Sequence, residues 1–258
     1  MSDEISAALL LGLAVSALFA GFIDSLVGGG GLIQIPALFS ALPQATPATL
    51  FGTNKFSSIF GTANAAWRYA RRVDMPWRTT LPAALAAFAC SYAGALAVAW
   101  LPPLLLRPLI LILLIAAAAY TFLRPDLGTV HRPQHSGRRE FAYALLLGGA
   151  IGFYDGFFGP GTGSFLIFLF IRFFGFDFLH ASAAAKVVNM TTNLAALGYF
   201  IPSGHFLPQV AVVMACANVL GSLLGTHLAL RHGSRFVRIV FLCVVSAFIV
   251  KFAHDTFA

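Results

Sequence analysis

Long apolar runs alternate with short polar loops along almost all of the 258-residue chain. In the first half they cover Ile5–Val27, Ala48–Tyr69, Thr79–Trp100 and Leu104–Leu123; in the second, Phe141–Phe158, Phe178–Ile201, Pro208–Leu230 and Phe236–Phe252. Each is close to the roughly 20 residues that a helix needs to cross about 30 Å of hydrocarbon. Backbone groups at that depth must bond within their own segment, so the runs predict helices. Two further runs, Leu32–Leu42 and Ser164–Phe174, reach only about half-way, roughly 16 Å at about 1.5 Å per residue. Each is read as a short tilted span or as a half-helix that turns back. The pattern predicts an all-α polytopic membrane protein with about eight to ten transmembrane segments.

Both short runs follow a cluster of glycines, GFIDSLVGGGG at Gly21–Gly31 and GFYDGFFGPGTG at Gly152–Gly163. The two phrases align at an offset of 131 residues without a gap, and the same offset pairs Asp24 with Asp155, Lys55 with Lys186, Gly94 with Gly225 and Arg107 with Arg238. Alanine and leucine matches would mean little in so apolar a chain. Coincident aspartate, lysine and arginine mark an internal repeat, with residues 1–123 as the first copy, 124–140 as a linker and 141–258 as the second. Each half makes an odd number of crossings whether its glycine-broken hairpin spans or re-enters, so the copies should lie inverted in the bilayer. Inverted repeats are a recurring plan of secondary transporters, with the substrate site between them near the midplane.

Composition agrees: 59% of the residues are hydrophobic and 10% charged, far from the balance of a soluble domain. The net charge of +7 is explained by arginine-rich loops on one membrane face, with nothing in the chain pointing to nucleic acid. Of the sixteen lysines and arginines, twelve fall on the side of loops 68–78, 124–140 and 231–235, which should therefore be cytoplasmic. The neutral loop 202–207 and the acidic N-terminus then face outward. The start, Met1-Ser2-Asp3-Glu4, lacks the basic region of a cleavable signal peptide. Cys90, Cys216 and Cys243 lie in apolar runs and read as small core residues, with no disulfide or metal spacing.

Lys55 and Lys186 are the first candidates for chemistry. A lysine so deep costs a few kcal/mol unless paired or hydrated. It either faces a cavity and attracts an anion, or serves structure by snorkelling or pairing with Asp24 and Asp155. Glycines at Gly28–Gly31 and at Gly159, Gly161 and Gly163 permit a sharp break. The short helices that begin there offer unpaired N–H groups and a positive dipole end, which puts Gly29, Gly30, Gly31, Gly161, Thr162 and Gly163 in a candidate anion site. Tight helix packing is the plainer use of such glycines. This is not a Walker A loop, because no Gly-Lys-Ser/Thr follows. Asp24 and Asp155 read equally as proton carriers or as structural partners. Asn54, Ser58, Asn189 and Asn193 share helices with the lysines and are placed in the site. Thr53, Ser57 and Thr192 lie beside them, and interhelical hydrogen bonding is the commoner role for all of these. His227 reads as a satisfied core histidine. No cofactor and no metal ligand set is expected.

These residues resemble one known family. GFIDSLVGGGG-LIQIPAL, LFGTNKFSSIFGTANAAWRYARR, GFYDGFFGPGTGSF and AAAKVVNMTTNLAALGYFIPSGH are similar to the TauE/SafE sulfite exporter family, the TSUP permeases, over nearly the whole chain. The second-half phrase looks most like the broad branch of that family without assigned substrates. The resemblance implies a bacterial inner-membrane permease, most simply an exporter, for a small sulfur-containing anion such as sulfite, thiosulfate or an organosulfonate. The lipid bilayer is the other expected partner, and a homodimer the expected assembly. A passive anion channel shares these features. An intramembrane aspartyl enzyme does not, since both aspartates precede the glycines and no Gly-x-Gly-Asp motif is present.

Overall fold

The computed structural model describes residues 6–98, 128, 130–134 and 136–257, with side chains as far as Val250. All regular structure among the described residues is helical. In chain order the helices are α1 (Ala7–Val27), α2 (Gly31–Ala41), α3 (Pro47–Ala70), α4 (Trp77–Ala97), α5 (Arg138–Phe157), α6 (Thr162–Phe174), α7 (Phe178–Phe200) and α8 (Pro208–Phe257). The expected span Leu104–Leu123 and Arg107 lie outside the described residues, as does the side chain of Lys251.

The ends of the helices follow local chemistry. Ser6 and Thr46 accept hydrogen bonds from the N–H groups of Leu9 and Thr49, capping α1 and α3. Pro47 at the start of α3 has no N–H to leave unsatisfied. Gly28 ends α1 in the left-handed conformation, at φ 81°. As expected, the chain breaks between two helices inside the stretch Arg231–Arg235: α8 is kinked at Gly233, with φ 72° and ψ −168°, so the break is a single glycine rather than an unwound loop.

Exposure separates two kinds of helix. On α1, Leu11, Val15 and Phe19 form an outward stripe; on α4, Leu81, Leu85, Phe88, Tyr92 and Leu96 do the same. On α8, Val212, Leu220, Leu224, Ile239 and Val250 are exposed. Apolar stripes of this length would be aggregation surfaces in water and are what a bilayer solvates. α1, α4 and α8 are also the described helices long and apolar enough to cross a membrane. α3 and α7 are less apolar because they carry the polar residues and lysines, and they are correspondingly interior. Ala181, Ala183, Ala184, Ala185 and Lys186 of α7 have no exposed surface. The chain is a multi-pass membrane protein. The cysteines are not core residues: Cys216 and Cys243 are exposed and Cys90 is half-buried, all three free. They lie on outward helix faces, where a thiol behaves as a small apolar group.

Helices pair across the chain, α1 with α8 and α4 with α5, and equivalent glycines make equivalent contacts. A Cβ on Gly21 would stand 2.1 Å from the carbonyl oxygen of Asn218, and one on Gly152 2.4 Å from the Cα of Ala87. Asn218 and Ala87 are themselves separated by the repeat offset. Gly94 meets the carbonyl of Phe153 and Gly225 that of Phe22, again corresponding positions. Small residues at these crossings let backbones touch, the usual means of helix association in lipid.

The segment before α5 straps the α6–α7 turn. Arg132 and Gln134 donate their backbone N–H to the carbonyls of Gly175 and Phe174 at 2.8 and 3.1 Å. Asp177 caps α7 through the N–H of His180 at 2.8 Å and accepts from the same residue's imidazole at 2.8 Å. Burial pushes the Asp177 carboxyl up, but these bonds outweigh it and hold the group below the usual carboxylate range. A carboxylate with a depressed folded-state pKa stabilises above its unfolded value and loses that contribution as pH falls through the folded one. Asp177→Ala is expected to cost about 1 kcal/mol, read as a lower Tm in detergent at neutral pH. The difference from wild type should shrink as the pH is taken below 4.

Candidate functional site

The two glycine breaks meet at the centre of the molecule. α1 ends at Gly28 and α2 begins three residues later; α5 ends at Phe157, and α6 begins after Gly159 and Gly161, both in left-handed geometry. The breaks pack on each other. A Cβ on Gly28 would lie 2.2 Å from the carbonyl carbon of Gly163, and one on Gly163 2.4 Å from the Cα of Gly28. Ser164 Oγ donates to the carbonyl of Val27 at 2.8 Å, so the first turn of α6 satisfies a carbonyl left free at the end of α1.

The charged residues sit around this contact, and their pairing crosses the halves. Lys55 Nζ on α3 is 2.6 Å from Asp155 Oδ2 on α5. Lys186 Nζ on α7 is 3.0 Å from Asp24 Oδ2 on α1. Each lysine thus takes the aspartate of the other half. All four groups are buried, and neither aspartate bonds the other. Thr62 adds a long hydrogen bond to Asp24 at 3.4 Å. Two cations and two anions leave the centre neutral, which is how buried charge is tolerated.

Between the pairs is a cavity of about 20 Å³, room for about one water molecule. Lys55, Asp24 and Asp155 line it. So do Asn54 and Ser58 of α3, Asn189 and Asn193 of α7, and Gly31, Thr162 and Gly163 at the two half-helix starts. Lys186 does not line it; the side chain is wholly buried behind Asp24. Three glycines named from the sequence also lie off the cavity. Gly29 faces Phe248, Gly30 packs under the Asp24 side chain and Gly161 lies against Phe165. Gly28 and Gly159 line it instead. Gly30 and Gly161 stand at the same repeat offset, so nothing in the residue order singled these two out.

Several polar neighbours are committed to structure. Thr53 Oγ1 accepts from the N–H of Leu207 at 3.0 Å and donates to the carbonyl of Thr49 at 2.7 Å. Thr192 donates to the carbonyl of Asn189 at 2.9 Å. By contrast, Asn54 Oδ1 and Ser57 Oγ are buried with no protein partner. Gln34, overlooked in the sequence, has both amide atoms buried and unpartnered one turn into α2. An isolated glutamine in the apolar phrase GLIQIPAL was the clue to it. His227 is not a core histidine either; it is exposed, at the rim of a separate cavity.

Gly159 has φ +92°, and a Cβ there would lie 3.1 Å from Lys55 Nζ and 3.2 Å from an Asp155 carboxylate oxygen. Gly159→Ala should therefore displace the ammonium and impair transport more than it impairs folding. Comparing initial flux with the yield of folded protein from gel filtration checks this.

An all-helical multi-pass protein with buried, mutually neutralised charges around a small central cavity has the build of a membrane transporter rather than of an enzyme. The chain belongs to the sulfite exporter TauE/SafE family, whose sequence profile matches residues 13–252. It is 39% identical to the "Probable membrane transporter protein ORF9" of Sinorhizobium sp over 96% of this chain and 93% of that relative. It is 37% identical to the "Probable membrane transporter protein YfcA" of Escherichia coli K12, over 96% and 91% respectively. A "Probable membrane transporter protein" of Haemophilus influenzae is 33% identical over 92% of this chain and 91% of its own length. No solved structure matches the chain.

Proposed function

We propose that this protein carries a small sulfur-containing anion across the bacterial inner membrane by alternating access, the two halves acting as inverted repeats about the central cavity. The observation that carries this reading is the pair of crossed ion pairs beside two half-helix N-termini. Those termini and Lys55 supply positive potential at one point, while Asp155 and Asp24 offset it. An incoming anion must compete with a carboxylate for the ammonium group. Protonating Asp155 removes the competitor and frees Lys55 Nζ, so anion and proton would bind together. For a monovalent anion that stoichiometry moves no net charge, and flux would follow the anion and pH gradients rather than the membrane potential.

Export is the direction in the family's description. The arginine bias supports a cytoplasmic side for loops 68–78, 124–140 and 231–235 and a periplasmic N-terminus. The cavity's small volume fits an occluded state, and rocking one half against the other would expose it to either side by exchanging the crossed ion-pair contacts.

Proteoliposome flux of sulfite, thiosulfate, sulfoacetate and chloride, with and without a pH gradient, tests this. Saturable sulfur-anion flux with counterflow, lost in Lys55→Ala and Lys186→Ala, is the expected result. Flux without counterflow would make the protein a channel. Unchanged flux in both variants would move the site elsewhere.

A further inference from the structure

A second cavity, of about 700 Å³, opens where the C-terminal end of α3 meets α8 just before its break at Gly233. Four arginines line it, Arg68, Arg71, Arg72 and Arg231, and no carboxylate does. Arg68 is half-buried and holds the wall by donating to the carbonyl of Leu223 at 3.2 Å. Arg71 stacks over the Trp67 ring, its guanidinium carbon 4.9 Å from the centroid. None of Arg71, Arg72 and Arg231 forms an ion pair with a carboxylate among the described residues.

We propose that this cavity binds the phosphate headgroup of an anionic lipid, with the acyl chains lying on the neighbouring apolar surface of α8. Size argues against a single transported oxyanion. The space is typical of a site for a large ligand and far exceeds the central cavity of about 20 Å³. Its surroundings argue for a lipid. Trp67 is 59% exposed at the rim, and Leu220 and Leu224 carry the apolar face of α8 outward from Leu223 at 56% and 58% exposure. An exposed tryptophan marks the headgroup level, and basic pockets between transmembrane helices are sites for anionic headgroups.

The internal repeat supplies an independent argument. At the repeat offset, Trp67, Arg68, Arg71 and Arg72 correspond to Gly198, Tyr199, Pro202 and Ser203. The corresponding end of α7 thus carries none of these charges. A general bias of arginines to the cytoplasmic side explains their number on one face. It does not make four of them converge on one acid-free cavity bounded by an aromatic rim.

Native mass spectrometry of the detergent-purified protein tests the proposal, with cardiolipin, phosphatidylglycerol and phosphatidylcholine offered in turn and pyrophosphate as the soluble control. Cardiolipin and phosphatidylglycerol adducts should outnumber phosphatidylcholine adducts. Arg71→Gln/Arg72→Gln/Arg231→Gln should weaken them by roughly fivefold per arginine, about a hundredfold in all. Arg78→Gln, which removes an arginine outside the cavity, should leave them unchanged. These exposed side chains leave the fold intact, which an unaltered lipid-free Tm would confirm. Equal retention of anionic and zwitterionic lipid by the wild type would overturn the proposal without recourse to any variant. So would persistence of the anionic preference in the triple variant, or occupancy by pyrophosphate with no lipid competition.

Discussion

Lys55→Met is expected to abolish sulfur-anion flux and to lower stability by about 3–5 kcal/mol, the usual cost of stranding one member of a buried ion pair. Asp155, 2% exposed and 2.6 Å from the lysine, would be the stranded group. The double variant Lys55→Met/Asp155→Asn removes both charges. It should recover most of the lost Tm in detergent, because a neutral pair of similar volume carries little desolvation penalty. It should recover none of the flux, because the ammonium that binds the anion is gone. Tm and proteoliposome uptake measured side by side separate the two roles. A double variant that transports would make the pair purely structural. The single change Asp155→Asn removes the carboxylate that competes for Lys55 and, on the proposed proton coupling, should make uptake less dependent on the pH gradient.

Gly28→Ala should give a large loss of folded protein. Two costs combine. A φ of 81° disfavours any side chain, and the new Cβ would stand 2.2 Å from the Gly163 backbone with no flexible side chain to yield. Local backbone strain alone is about 1–2 kcal/mol. Separating the two breaks also costs the Ser164–Val27 hydrogen bond at 2.8 Å and loosens both ion pairs. The fraction of protein surviving as a monodisperse gel-filtration peak in mild detergent measures the effect. Gly12→Ala, where the added atom meets nothing within 4 Å, is the matched control and should be neutral.

Much of this architecture is legible in the residue order, because the signals behind it are local. A helix in lipid must satisfy its own backbone, so apolar run lengths mark α1, α3, α4, α5 and α7 to within about three residues. Glycine clusters mark where α2 and α6 begin, and lysines inside apolar runs mark α3 and α7 as interior. Even the correspondence of the halves is visible, since rare charged residues recur at one offset. What could not be read are choices between distant groups that satisfy the same local rules. Two lysines and two aspartates balance whichever aspartate each lysine takes. Only the packing of α1 and α5 against α7 and α3 assigns Asp155 to Lys55 across 100 residues and Asp24 to Lys186 across 162. Likewise Gly28 and Gly159 differ from their glycine neighbours only in which way the broken backbone faces. His227, Cys216 and Cys243 lie in apolar runs like any core residue, yet a helix surrounded by lipid turns half of such residues outward. The sequence alone determined where the apolar helices run and which residues are too polar to lie within them without cause. The tertiary structure decided which of those residues meet, because burying a charge at low dielectric is tolerable only beside its opposite, and that proximity is set by packing between segments far apart in the chain.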